Sequence, residues 1–193
     1  ELCVAPDFET MSQQAARRVI DWIRQKPDAL VCPATGASPV RLYQLLVEAG
    51  QAAPELFRHV RWIKPDEWAG LGPEAEGSNE RYLQERLLRP LRVNPAQYLG
   101  WDSLATDPAA ECQRVAAWLA EQGPIDLCIL GVGPDGHVAM NQPGARLCPS
   151  RMRRSFLQFC SVIPCWGLRR GRCEVGLRWG WPTCSRRGGS CCW

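Results

Sequence analysis

Ile125-Asp-Leu-Cys-Ile-Leu-Gly-Val-Gly-Pro-Asp-Gly-His137 is the stretch of sequence that decides the fold. Its first six residues form a short, largely apolar run, which is typical of a strand that is buried on both faces in a parallel sheet. The run passes directly into a loop, residues 131–144, that contains four glycines and one of the two histidines of the chain. A buried strand that ends in such a loop is typical of the ligand-binding edge of an α/β sheet.

Further strands and helices alternate along the chain before this loop. Short apolar runs predict strands, whereas apolar residues spaced three or four apart predict helices. Thr10 forms a predicted capping box with Gln13, and Ser38 and Asp107 are predicted N-caps of later helices. Strands are predicted at residues 29–33, 60–64, 98–101 and 125–130, and helices at 10–26, 38–50, 78–91 and 107–122. The alternation predicts an α/β fold with a doubly wound, mainly parallel, Rossmann-like sheet.

Length and composition favour a soluble protein with one globular domain. The chain has 193 residues, of which 46% are hydrophobic, enough for one buried core but not for two domains of ordinary size. It contains no run of eighteen apolar residues, and it does not begin with a basic segment followed by an apolar one. We therefore expect a cytoplasmic protein with neither a membrane span nor a secretory signal.

The chain divides into two parts of different composition, residues 1–147 and residues 148–193. The second part has nine arginines and a single acid, a net charge of +8, so the first part carries −5 of the overall +3. Seven of the eleven cysteines lie in the second part, which lacks Ala, Asp, Asn, Lys, His and Tyr. Arg, Gly, Cys, Trp, Pro and Ser are what GC-rich codons yield when read out of frame. We therefore expect an out-of-frame or non-homologous tail after an α/β domain that is incomplete at its C-terminus.

Two other interpretations of the tail are weaker. A zinc site would need four ligands at short spacings, but Cys160, Cys165, Cys173 and Cys184 lie far apart and the tail has no histidine, so we expect no metal site. A basic segment with tryptophans can bind single-stranded nucleic acid by charge and stacking. Since no scaffold presents these groups together, we expect no specific nucleic-acid partner.

The first candidate binding segment follows the strand predicted at 29–33. Thr35, Gly36, Ala37 and Ser38 combine a glycine, two hydroxyls and free backbone amides at the start of a helix. Such amides form a ready site for an anion, and this segment therefore predicts a phosphate-binding loop. The alternative is that these residues only form a turn and a helix cap.

The second candidate segment follows the strand predicted at 60–64. Asp66 and Glu67 place two adjacent carboxylates directly after a strand, where one of them could act as the base that moves a proton between neighbouring carbon atoms. The alternative is a solvated acidic turn.

The third candidate segment is the glycine-rich loop itself. His137 lies two residues after Asp135, and Asn141 and Gln142 close the loop. Imidazole titrates near neutral pH and can pass a proton to or from a ring oxygen when a polar neighbour fixes its tautomer. We favour this role over that of a structural histidine, whereas His59 has no such context and is predicted to be a surface residue.

Together these segments resemble the glucosamine-6-phosphate deaminase and 6-phosphogluconolactonase superfamily, from about residue 10 to residue 147. The similarity is greatest to the galactosamine-6-phosphate isomerase/deaminase branch. It rests on the motifs Ala34-Thr-Gly-Ala-Ser-Pro39, Lys64-Pro-Asp-Glu-Trp68, Asp126-Leu-Cys-Ile-Leu-Gly-Val-Gly133 and Asn141-Gln-Pro-Gly144.

The resemblance implies a small-molecule sugar phosphate as substrate and no cofactor or metal. The sugar ring opens, a proton moves between carbons 2 and 1, and the amine leaves as ammonia to give a ketose 6-phosphate. By this resemblance Asp66 is the base, His137 assists ring opening, Asp135 belongs to the relay that sets the state of the histidine, and residues 35–38 bind the phosphate. We also predict substrate contacts for Glu67 and Asn141, and a homo-oligomer is compatible with the family.

Two departures from the family pattern qualify this expectation. Gln142 stands where the deaminases carry a glutamate, and an amide can orient imidazole but supplies no negative charge. The family also continues past this loop with a phosphate-binding lysine, whereas residues 148–193 contain no lysine. Two alternatives therefore stay open, a 6-phosphogluconolactonase and a truncated, non-catalytic fragment. The sequence leaves the preference between galactosamine and glucosamine 6-phosphate, the oligomeric state and any allosteric control undecided.

Overall fold

The computed structural model describes residues 3–133 and 136–140, and the backbone of residues 176–177. Four α-helices alternate with parallel strands, and the third helix continues as a π-helical turn, Gln84–Leu88. Short 3-10 turns lie at Pro54–Phe57 and Pro95–Gln97. The helices are α1 (Phe8–Gln25), α2 (Val40–Ala52), α3 (Asn79–Leu83) and α4 (Pro108–Gln122). The strands are β1 (Leu30–Pro33), β2 (Arg61–Ile63), β3 (Tyr98–Leu99), β4 (Leu127–Gly131) and β5 (Gly176–Leu177).

The strands form one parallel sheet in the order β3-β2-β1-β4-β5. Val31 of β1 is paired with Trp62 of β2 on one side and with Leu127 of β4 on the other. The chain therefore builds outward from β1 in one direction and then returns to its other side, as predicted for a doubly wound sheet. The order reverses between β1 and β4, and ligands of such sheets bind outside the carboxyl ends of the strands at that point.

Two apolar cores cover the two faces of the sheet. Alternate residues of β1 belong to different cores, because successive side chains of a strand point to opposite faces. Val31 packs with α1, α2 and Trp62, whereas Leu30 and Cys32 pack with Ile63 and with Val115 of α4. The sheet is thus a layer between helices, which explains why its strands read as continuous apolar runs.

The first helix begins one turn earlier than predicted. Its N-cap is Asp7, whose carboxylate accepts a hydrogen bond from the backbone N–H of Thr10 at 2.6 Å. Thr10 therefore lies inside the first turn, and the Gln13 side chain donates to Glu9 instead of returning to a cap. The capping box predicted from Thr10 is wrong. The backbone N–H of Thr10, which the Gln13 side chain was expected to bond, is bonded by Asp7, three residues upstream.

Of the N-caps predicted for the second and fourth helices, only the one of the fourth helix is confirmed. The N-cap of α2 is Pro39, which makes no side-chain capping bond, so Ser38 is not the cap that was predicted. Asp107 caps α4 as predicted, since its carboxylate accepts hydrogen bonds from the N–H groups of Ala109 and Ala110. Gly123 ends that helix at a positive φ of 91°, a conformation that favours glycine.

Few residues of the tail are described. The pattern of residues 148–193 predicted no regular element, but the structure pairs Gly176–Leu177 with Leu130 and Gly131 of β4 as a short parallel strand. Residues 178–193 and 141–175 lie outside the described residues. Among the helices that are described, none is long and apolar enough to cross a bilayer.

Candidate functional site

The loops that follow β1 and β4 meet at the carboxyl edge of the sheet. The backbone N–H of Ala34, just after β1, donates to the carbonyl of Ile129 in β4 at 3.0 Å. One step further along, a methyl group placed on Gly131 would lie 3.2 Å from both Cβ and Oγ of Ser38. Glycine at position 131 thus allows the two loops to touch, and this brings the first and third candidate segments together.

Two tyrosines hold the loop after β1. The buried hydroxyl of Tyr43 donates to the carbonyl of Ala34 at 2.5 Å, and that of Tyr82 donates to the carbonyl of Gly36 at 2.5 Å. Gly36 has a positive φ of 106°, which side chains disfavour. Gly36 and Ala37 are exposed, and no described residue accepts a hydrogen bond from the backbone N–H groups of residues 36–38. The predicted phosphate loop therefore presents unpaired amide donors at a fixed turn.

A buried charge network lies beneath the loop after β2. The ammonium of Lys64, which is fully buried, donates to Glu67 and to Glu80, both at 2.7 Å. Tyr98 donates to the same oxygen of Glu80 at 2.6 Å, and the indole N–H of Trp101 donates to the carbonyl of Lys64 at 3.0 Å. Burial raises the pKa of Tyr98, with the Glu80 carboxylate adding to the effect, so its hydroxyl stays a donor.

Glu67 is part of this network and does not face the site. It is 1% exposed, and its carboxylate accepts hydrogen bonds from the N–H groups of Trp68 (2.9 Å), Asn79 (3.0 Å) and Glu80 (2.7 Å) in addition to that from Lys64. These donors occupy both oxygens, so the carboxylate anchors the start of α3 to the end of β2. This placement gives Glu67 a supporting role in the structure, and the substrate contact predicted for it stays a prediction.

Asp66 lies next to this network at the edge of the sheet. It is 4% exposed, and one oxygen accepts a hydrogen bond from the side-chain amide of Asn79 at 2.7 Å. Burial raises the pKa of Asp66 to about 6; repulsion from Glu67 adds to this rise, whereas Lys64 and Asn79 oppose it. A carboxylate with this pKa is mostly ionised at neutral pH and is more basic than an ordinary aspartate, as general-base chemistry requires.

Two backbone hydrogen bonds close the glycine-rich loop after β4. The N–H of Gly133 donates to the carbonyl of His137 at 2.8 Å, and that of Gly136 donates back to Gly133 at 2.9 Å. Gly136 has a φ of 88° and Ala139 a φ of 53°, so the chain reverses tightly here. The ring of His137 lies directly over Gly133, where any side chain would collide with it.

The other residues singled out in the sequence lie either outside the described residues or away from the carboxyl edge of the sheet. Asp135, Asn141 and Gln142 lie outside the described residues, and His59 is exposed, as predicted. A cavity of about 830 Å³ beside His59, Arg58 and Arg92 lies before β2 and β3, away from the carboxyl ends of the strands, and none of the candidate residues lines it. Within the described part of the chain, no three His, Cys, Asp or Glu side chains are grouped closely enough to hold a metal ion.

Lys64, Asn79, Glu80 and Tyr98 were not predicted as functional residues. Glu80 and Tyr98 lie 16 and 34 positions after Lys64 in the printed sequence, so no local pattern connects them. The one available signal was the dipeptide Ser78-Asn79 at a predicted helix start, because Asn often uses its side chain to bond nearby groups.

Comparisons with known proteins agree with this fold. A sequence model described as glucosamine-6-phosphate isomerases and 6-phosphogluconolactonase matches residues 6–157, and so includes the first ten residues of the tail. AgaI of Escherichia coli K12, a provisionally named deaminase, is 34% identical over 144 residues, which cover 75% of this chain and 57% of AgaI. A glucosamine-6-phosphate deaminase of Halothermothrix orenii is 35% identical over 144 residues, with coverage of 75% and 60%.

A solved structure shows the same architecture. It is a monomeric glucosamine-6-phosphate deaminase of the NagB superfamily, with a TM-score of 0.70 and 31% identity, and the match covers 74% of this chain and 59% of that one. The chain thus spans about three fifths of the length of the relatives it matches. On the match of residues 6–157, which contain all three loops of the candidate site, the chain belongs to the family of glucosamine-6-phosphate isomerases and 6-phosphogluconolactonases.

Proposed function

We propose that the protein is an amino-sugar-6-phosphate isomerase/deaminase. The observation that carries the proposal is the buried Asp66, whose pKa is raised to about 6, at the same sheet edge as the loop of residues 35–38, in which Gly36 and Ala37 are exposed. A base and an anion-binding loop at one edge suit a substrate that has an acidic carbon–hydrogen bond at one end and a phosphate at the other.

The proposed reaction assigns one step to each part of the site. The loop of residues 35–38 binds the phosphate through its backbone amides, and His137 passes a proton to the ring oxygen as the ring opens. Asp66 takes the proton from carbon 2 and returns it to carbon 1. Water then replaces the amino group at carbon 2, which leaves as ammonia, and the product is a ketose 6-phosphate.

Three further residues have roles in this proposal by family resemblance alone. Asp135 belongs to the relay that sets the protonation of His137, Asn141 contacts the substrate, and Gln142 takes the place of the glutamate found in deaminases. An amide at position 142 orients the imidazole without adding a negative charge. We therefore expect ring opening to be slower here than in deaminases with a carboxylate at that position.

The direct test is ammonia release from galactosamine 6-phosphate and from glucosamine 6-phosphate. We expect ammonia and ketose 6-phosphate in equal amounts from at least one of the two amino sugar phosphates. Asp66→Asn should lower kcat by about 10²-fold or more, the usual contribution of a general base. Asp21→Asn, on the exposed face of α1, should leave kcat unchanged. Absence of ammonia with both amino sugars would contradict the proposal.

A 6-phosphogluconolactonase is the second candidate. Ser78-Asn79 and Gly133-Pro-Asp-Gly-His137 resemble the lactonase branch of the family and so favour it. In that reaction the histidine would activate water for ester hydrolysis. Trp68 and the sequence Asn141-Gln-Pro-Gly144 favour the deaminase instead. Hydrolysis of 6-phosphogluconolactone without ammonia release from either amino sugar would assign the lactonase activity.

A non-catalytic fragment is the third candidate. The composition of residues 148–193 supports an out-of-frame or non-homologous tail, and a chain that lacks part of the family fold would leave sheet edges exposed. The nucleotide sequence near codon 148 tests this directly. A shifted frame whose correction restores further strand and helix patterns is the expected result, and an uninterrupted frame with homologues of the tail would refute it.

A further inference from the structure

The side chain of Asn79 connects two of the loops that form the candidate site. Asn79 is the first residue of α3 and is 8% exposed. Its amide nitrogen donates to Oδ1 of Asp66 at 2.7 Å and to the backbone carbonyl of Asp66 at 3.3 Å. Its amide oxygen accepts a hydrogen bond from the hydroxyl of Thr35 at 3.1 Å. One buried amide thus contacts both the carboxylate after β2 and the loop after β1.

The chemistry of the neighbours fixes the orientation of this amide. An ionised carboxylate can only accept hydrogen bonds, so the group that lies 2.7 Å from Asp66 must be the NH2 and not the carbonyl. The carbonyl then faces Thr35, whose hydroxyl is free to donate. A residue at this position needs a donor and an acceptor about one amide width apart, and the amide side chain of asparagine supplies both.

The start of α3 does not depend on this amide. Ser78 is the N-cap, and its hydroxyl accepts a hydrogen bond from the N–H of Arg81 at 3.2 Å. The N–H groups of Asn79 and Glu80 are accepted by the carboxylate of Glu67. The first helical amides therefore already have acceptors, so the side-chain amide of Asn79 serves the two loops and not the helix.

We propose that Asn79 is a positioning residue that holds one oxygen of Asp66, leaves the other for the substrate, and ties its orientation to Thr35 of the phosphate loop. The assignment to catalysis rests on the proposed function, whereas the effect on Asp66 does not. Within the described part of the chain no group donates a hydrogen bond to Oδ2 of Asp66. Because the bond from Asn79 favours the ionised carboxylate, its removal should make Asp66 harder to ionise.

Among the residues that the structure describes, few other charged groups influence Asp66, and the test leaves them in place. Lys64 and Glu67 face it from the end of β2, and Cys128 interacts with it from β4. Thr35 and Asn79 are uncharged. A change in the titration of Asp66 after substitution of Asn79 is therefore attributable to the lost hydrogen bond.

The test is a carbon-13 NMR titration of the Asp66 carboxyl in the 193-residue chain. In Asn79→Ala the midpoint should move to higher pH. In Asn79→Asp a second carboxylate replaces the donor. The two neighbouring carboxyl groups should then titrate in two coupled steps, and the midpoint of the upper step should lie at a still higher pH. Asn79→Asp keeps the shape of the side chain, and a negative charge suits the first turn of a helix, so this variant should fold. Ser78→Ala is the matched control, which weakens the cap of α3 and should leave the midpoint unchanged.

A kinetic readout links the effect to the reaction. Asn79→Ala should lower kcat about tenfold, the usual scale for losing a hydrogen bond to a charged group, and should move the acidic limb of the kcat profile to higher pH with little change in KM. Ser78→Ala should do neither. Because the titration needs no turnover, shifted midpoints without any ammonia release would leave the positioning of Asp66 intact and would reject the proposed function alone. An unchanged midpoint in both Asn79 variants, or an equal shift in Ser78→Ala, would overturn the inference.

Discussion

The ends of β2 and β4 lie at the same edge of the sheet but are held by different means. After β2, Asn79 donates a side-chain hydrogen bond to Asp66, and a buried lysine that is paired with two carboxylates lies next to them. After β4, two backbone hydrogen bonds close the loop, and the ring of His137 occupies the space above Gly133. The loop after β2 thus depends on buried charged side chains, whereas the loop after β4 needs a glycine beneath the imidazole ring.

This difference matches the chemistry proposed for the two loops. A base that transfers a proton between neighbouring carbons needs a fixed carboxylate with a raised pKa, and a buried network supplies both. A histidine that passes a proton to the ring oxygen of a sugar must lie close to the substrate. Glycines in the loop allow the backbone to lie close to the imidazole ring. The following predictions test whether the two loops depend on these different features.

The largest effect should come from the buried lysine. Lys64→Met keeps the volume but leaves the buried Glu67 and the partly buried Glu80 without their cation. Breaking a buried ion pair in this way costs about 3–5 kcal/mol. Chemical denaturation should report that loss as a lower free energy of unfolding. Arg24→Met, which removes an exposed pair with Asp21, is the control, and a loss no larger than that of this control would contradict the account of the β2 end.

The second effect is a gain in the stability of Asp66→Asn over the parent protein, which should depend on pH. The pKa of Asp66 rises from 3.8 to about 6 on folding, so the folded protein is favoured while this group is protonated and loses that advantage as the pH rises through 6. Asp66→Asn cannot ionise and should become progressively more stable than the parent between about pH 4 and pH 7. The full gain is up to about 3 kcal/mol, since one pKa unit corresponds to about 1.4 kcal/mol. Unfolding curves at several pH values measure it, and a difference that does not vary with pH would exclude a raised pKa.

The third effect concerns the β4 loop. Gly133→Ala places a methyl group where the ring of His137 lies, so the ring or the loop must move at a cost of about 1–3 kcal/mol. The rate of ammonia release should fall by a larger factor than the loss in the free energy of unfolding alone would explain. Gly72→Ala is the matched control, because no atom lies within 4 Å of the added methyl group. Equal behaviour of the two variants would show that the position of the imidazole does not depend on Gly133.

The smallest effect tests the contact between the β1 and β4 loops. Gly131→Ala brings a methyl group to 3.2 Å from Ser38. This contact is only slightly too close, so the free energy of unfolding should fall by less than about 1 kcal/mol. Ser38→Gly removes the opposing atoms and should recover part of this loss. A double-mutant cycle on unfolding free energies measures the coupling, and additive effects would mean that the two loops do not press on each other.

The fold was largely predictable because its determinants are local. The apolar runs at residues 29–33 and 125–130 are strands, and the alternation with helices predicted the doubly wound parallel sheet. The first helix start was predicted incorrectly because Asp7 and Thr10 are both good caps, and their relative position in the helix is settled by packing. Strand pairing of Gly176–Leu177 with β4 is a long-range contact that no local pattern predicts.

The candidate site was predictable only in part. Residues 35–38, Asp66 and His137 follow strands of a parallel sheet, so their arrival at one edge follows from topology. The burial of Glu67 could not be foreseen, because it depends on Lys64 and on the N–H groups of α3 folding over it. The roles of Asp135, Asn141 and Gln142 stay predictions of the family resemblance.

The most direct test of the central claim is whether the carboxyl edge of the sheet binds a sugar phosphate through the loop after β1. Proton–nitrogen NMR spectra of the 193-residue chain, titrated with galactosamine 6-phosphate and separately with galactosamine, measure this without requiring turnover. We predict saturable shifts of the amide signals of Gly36, Ala37 and Ser38 with the phosphorylated sugar, and none at these positions with the unphosphorylated sugar. Equal shifts with both sugars, or unchanged signals from these three amides, would contradict the account.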